Sequence, residues 1–93
     1  VPSRRAIIAS AVGLHARPAA LFVEAAQATN LPVTIGRTDQ PKVNAHSILA
    51  VMTLGVKQGE EVEIEAEGKD AEAVLNKLAA MLQSDLDQLP GEI

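Results

Sequence analysis

The chain has 93 residues, a formal net charge of −4, no cysteine and one aromatic residue, Phe22. This composition excludes disulfide and thiolate chemistry and an aromatic platform for stacking nucleic-acid bases. No basic stripe offers a surface to nucleic acid, and no apolar run points to a stable membrane contact. The length is read as one domain over residues 1–93 with an aliphatic, small-residue core. With no apolar leader, the protein is expected in the cytoplasm.

Residues 4–9 predict a first strand with Ala6 and Ile8 on one side. Gly13 breaks the chain. Residues 16–29 predict a helix with Pro18 in its first turn, where a missing N–H costs nothing. Ala19, Phe22, Val23 and Ala26 give that helix an apolar face. Residues 31–35 alternate as a second strand, with Leu31, Val33 and Ile35 together. Residues 37–40 form a turn, and 41–44 return as a short third strand. Ser47 caps a short helix that reaches Leu54 and ends at Gly55.

Gln58 and Gly59 make another turn. Residues 61–67 are the clearest strand: Val62, Ile64 and Ala66 point one way, and four glutamates point the other. Asp70 is read as the N-cap of a last helix over 71–86, with Val74, Leu75, Leu78, Leu82 and Leu86 at spacings of one, three and four and Pro90 after it. The order β-α-β-β-α-β-α, with one apolar face per element, predicts a two-layer α+β domain.

The chemistry concentrates at residues 13–18, Gly-Leu-His-Ala-Arg-Pro. A glycine turn feeding a helix places His15 at the helix N-terminus, where unpaired amides and a positive dipole favour an anion, phosphate above all. Arg17 adds a permanent cation whose planar fork matches phosphate oxygens. The same field disfavours a protonated imidazole, which keeps His15 a nucleophile. A lone histidine at a helix start also serves as a cap or a packed surface residue, and the residues alone leave that open.

The run Gly-Leu-His-Ala-Arg-Pro-Ala-Ala at 13–20 resembles the active-site motif of the HPr family, the histidine-containing phosphocarriers of the bacterial sugar phosphotransferase system. Residues 44–55, Asn-Ala-His-Ser-Ile-Leu-Ala-Val-Met-Thr-Leu-Gly, resemble that family's serine-site motif. The resemblance implies an open-faced β-sandwich in which three helices cover one face of a four-stranded antiparallel sheet. It implies phosphorylation of His15 on Nδ1 by phospho-enzyme I, at the expense of phosphoenolpyruvate. Arg17 would assist the transfer, Pro18 would fix the helix start, and IIA domains of sugar permeases would be the acceptors. Such a carrier is a monomer that is itself modified rather than an enzyme, and it needs no cofactor or metal. Ala16 resembles the Gram-positive form of the motif more than the enteric one.

Ser47 is read first as a helix cap. In many low-GC Gram-positive relatives a kinase, with its opposing phosphorylase, acts on the matching serine. Here His46 precedes it, where those relatives carry a basic residue such as lysine, and this departure counts against regulation. His46 itself is read as an exposed neighbour. Leu21, Ile48, Leu49 and Met52 are core residues, scattered surface apolars or an apolar pad for partner enzymes, and the resemblance favours docking. The competing readings are a phosphatase that uses His15 covalently and a regulator that acts through Ser47 alone. Sugar uptake, nitrogen signalling and dihydroxyacetone phosphorylation are all open as the pathway served.

Overall fold

The computed structural model describes residues 2–9, 13 and 16–83. Their elements run β1 (Ser3–Ile7), α1 (Ala16–Ala28), β2 (Val33–Arg37), β3 (Val43–Asn44), α2 (Ile48–Thr53), β4 (Glu61–Ala66) and α3 (Ala71–Leu82), in the expected order. All strand pairings are antiparallel, and the order across the sheet is β1-β4-β2-β3. Strand β4 is therefore internal: Ile64 lies opposite Arg4 of β1 and opposite Ile35 of β2.

Alternation along the strands decides which face is covered. Ala6, Val33, Ile35, Val62, Ile64 and Ala66 are buried on one face, joined by Ile8 just beyond β1. The helices close this face with Phe22 and Ala19 of α1, Val51 of α2, and Leu75, Leu78 and Leu82 of α3. Phe22 is completely enclosed. Burying one such side chain contributes about 1.5–3 kcal/mol, so the single shared core holds the two layers together. The uncovered face carries Arg5, Glu63 and Glu65. This is the open-faced sandwich with three helices on one side of four antiparallel strands.

Several boundaries differ from the sequence reading. Strand β2 starts at Val33 rather than at residue 31, because Asn30 takes a left-handed φ of 60° that turns the chain out of α1. It continues through Arg37, which pairs with Val62 instead of opening a turn. Leu31 still packs against the core from its half-buried position. Strand β3 contracts to Val43–Asn44, opposite Thr34 and Ile35. Asp70 holds the N-cap position of α3, but its side chain makes no capping bond; its φ and ψ of −107° and 28° are not the extended backbone of a capping residue. Helix α3 ends at Leu82, with Gln83 as its C-cap rather than within the helix, and the rest of the expected helix, 84–86, lies outside the described residues, as does Pro90. Among the described residues no helix is long and apolar enough to cross a membrane.

Candidate functional site

Gly13, between β1 and α1, sits hard against the chain after α2. Gly13 has a φ of +71°, in the left-handed region that favours glycine. Its backbone lies so close to Val56 and Lys57 that an added Cβ would meet Val56 O and would stand 2.8 Å from Lys57 Cα. Both conditions call for glycine.

Helix α1 then starts at Ala16, and its first turn contains no acidic residue. The first amides of a helix have no partner within the helix, so the positive end of the dipole carries no acidic side chain from its own first turn. Pro18 is buried in that turn, and Arg17 beside it is exposed. The candidate acceptor His15 lies outside the described residues, as does Leu14.

The second motif occupies the start of α2. Ser47 has an extended backbone (φ −111°, ψ 114°), and its Oγ accepts from Ala50 N at 3.2 Å, the expected cap. His46 is half-buried rather than an exposed neighbour. Its Nε2 donates to Leu31 O at 2.8 Å, its N–H donates to Asn44 Oδ1 at 2.9 Å, and its carbonyl accepts from Gln27 Nε2 at 2.8 Å. The Gln27 bond ties the start of α2 to the far end of α1. Ten residues of helix, about 15 Å, separate Gln27 from Arg17. The cap of α2 and the first turn of α1 are thus held apart, whereas the loop after α2 reaches Gly13.

Of the proposed docking residues, Leu49 is the most exposed at 72 %, followed by Ile48 at 41 %. Met52 is half-buried against the core, and Leu21 is half-buried on α1. Ile48 and Leu49 each stand one helical turn from Met52, on one side of α2, while Val51 points into the core.

One group near the site escaped the sequence reading. Arg37, at the end of β2, donates from Nη1 to Leu54 O at 2.6 Å and from Nη2 to Gly55 O at 3.0 Å. It also grips both carboxylate oxygens of Glu60, each at 3.2 Å. Glu60 Oε2 accepts Lys57 N at 2.6 Å as well. The bond from Arg37, followed by that from the Lys57 amide, holds the Glu60 carboxyl below its ordinary value. An arginine in a turn gives no signal of this kind, because its partners lie 17 to 23 residues away. Among the described residues no cluster of His, Asp or Glu could hold a metal ion.

Comparison with known proteins fixes the class. The family model described as "PTS HPr component phosphorylation site" matches residues 2–84. A match of that extent places the chain among the phosphotransferase-system phosphocarriers. The phosphocarrier protein HPr of Streptomyces coelicolor is 48 % identical over 87 residues, covering 94 % of each chain. The HPr-like protein Crh of Bacillus subtilis is 46 % identical over 74 residues, covering 80 % of this chain and 86 % of that one. The crystal structure of HPr-C-His from Thermoanaerobacter tengcongensis superposes with a TM-score of 0.86 at 38 % identity, covering 96 % of this chain and 99 % of that one. The chain belongs to the HPr family.

Proposed function

We propose that the protein accepts a phosphoryl group on His15 from phospho-enzyme I and passes it to the IIA domain of a sugar permease. Residues 1–93 act as one cytoplasmic carrier domain in this reading. A P–N bond forms at His15 as the donor's bond to phosphorus breaks, and the same exchange runs onward to the acceptor. The amides at the start of α1 and the Arg17 guanidinium stabilise the transferred oxygens. Pro18, buried in the first turn, fixes where those amides begin. The protein is consumed and regenerated stoichiometrically, with enzyme I and the IIA domain supplying the rest of each site.

The observation that carries this reading is the family match across residues 2–84, with His15 preceding by two residues in the sequence the Arg17 of the first turn of α1. Its test is incubation with enzyme I and labelled phosphoenolpyruvate. One label per chain is expected, labile in acid and stable in alkali, and lost in His15→Ala with the circular-dichroism spectrum unchanged. Labelling retained by that variant would refute the assignment. An acid-stable label would move the modification to a hydroxyl such as that of Ser47, and continued release of phosphate would indicate a phosphatase.

A further inference from the structure

We propose that Arg37 is a positioning residue for phosphoryl acceptance, acting through the turn at residues 54–60. The inference rests on the carrier function proposed above and deepens it.

The turn is held from outside by one guanidinium. Arg37 ties the carbonyls just after α2, at Leu54 and Gly55, to the Glu60 carboxylate, which in turn holds the Lys57 amide. A planar fork serves this arrangement where a point charge does not, because carbonyls and a carboxylate must be met in one plane from different directions.

On its inner side the same turn holds the chain leading to His15. Gly59 N donates to Ile8 O at 2.8 Å, Ile8 N donates to Glu60 O at 3.0 Å, and Gln58 Nε2 donates to Ala9 O at 3.0 Å. Further along, Gly13 packs against Val56 and Lys57 without room for a Cβ. The turn therefore touches the chain at residues 8–9 and again at residue 13, two residues before the acceptor.

Arg37 and Glu60 are more than one-third exposed, so their ion pair contributes little to global stability. Its effect is local: it sets where the turn sits, and hence where Gly13 sits. A displacement of about 1 Å at a reacting group can cost on the order of a hundredfold in rate.

The test is steady-state transfer from phospho-enzyme I to wild type, Arg37→Gln and Arg37→Lys, well below their melting temperatures, with amide exchange measured in parallel. Arg37→Gln is expected to lose about tenfold in kcat with KM within twofold, since docking is untouched and only alignment suffers. Arg37→Lys should recover only part, because an ammonium has three donors for the four bonds and lacks the planar fork. The amides of Ile8, Lys57 and Gly59 should exchange faster in Arg37→Gln, while those of α3 keep their protection. A labelled wild type matched in kcat by Arg37→Gln would overturn the positioning role alone. A wild type that takes no label would overturn the carrier reading and this inference with it.

Discussion

Gly13 shows how a single residue's geometry bears on the site. It meets two constraints at once, a left-handed φ of +71° and a backbone contact with Val56 and Lys57. A non-glycine residue in this conformation costs about 1–2 kcal/mol before any clash is counted. The obstacle is main chain, which cannot swing aside as a long side chain would. Gly13→Ala should therefore lower unfolding free energy by about 2 kcal/mol or more and shift the urea midpoint down at unchanged slope. A midpoint equal to wild type would show that the turn relaxes freely and does not constrain the segment beside it. Gly13 was legible in the sequence because a glycine between a strand pattern and a helix start has few other uses. Ser47 was legible for the same kind of reason, since a cap depends only on its next three residues. His46 and Arg37 were not, because their bonds go to Leu31, Leu54, Gly55 and Glu60, and no local pattern identifies those partners.

At the scale of elements, α2 buries little and exposes much. Val51 enters the core, whereas Leu49 and Ile48 leave large side chains in water. In a helix of only six residues this exposure brings no packing return, and the proposed docking role would make use of it. Leu49→Asp separates the two uses. The position lies in the first turn, where an acidic side chain suits the helix dipole, so stability should stay within about 0.5 kcal/mol of wild type. Transfer from enzyme I should instead show KM raised by about tenfold, the effect of losing a central apolar anchor. An unchanged KM would remove Leu49 from the docking surface. The apolar spacing of α2 was readable in advance, but which of its sides faced water was not. Element ends were the weaker part of the sequence reading for a related reason. Alternation placed a strand near residues 31–35, yet pairing with β4 and the left-handed Asn30 moved it to Val33–Arg37.

At the scale of the whole molecule, the residues implied a two-layer domain, but not that the last strand inserts between the first and the second. That order is a long-range pairing, and no single strand's pattern encodes its neighbours. Its consequence is visible on the open face. Placing β4 in the interior of the sheet brings Glu63 to Lys42 Nζ at 2.9 Å and to Arg5 Nε at 3.9 Å, while Lys42 also reaches Glu65 at 3.4 Å. The four glutamates that alternation points away from the core thus include one whose side chain is only 19 % exposed. The bond from Lys42 holds the Glu63 carboxyl below its ordinary value of 4.5, as Arg37 does for Glu60. Because these carboxyls release their protons more readily in the folded state than in the unfolded one, their contribution is fully present above about pH 5. It is lost as the pH falls through the unfolded and then the folded values. Urea midpoints measured from pH 7 to pH 3 should therefore decline most steeply below about pH 4.5. Glu63→Gln should flatten that decline, because the variant has no proton to take up at this site. The pairs are near the surface, so 1 M salt should flatten it as well. A Glu63→Gln profile parallel to wild type over the whole range would show that the charges on the open face do not contribute to holding β1, β4 and the residues before β3 together.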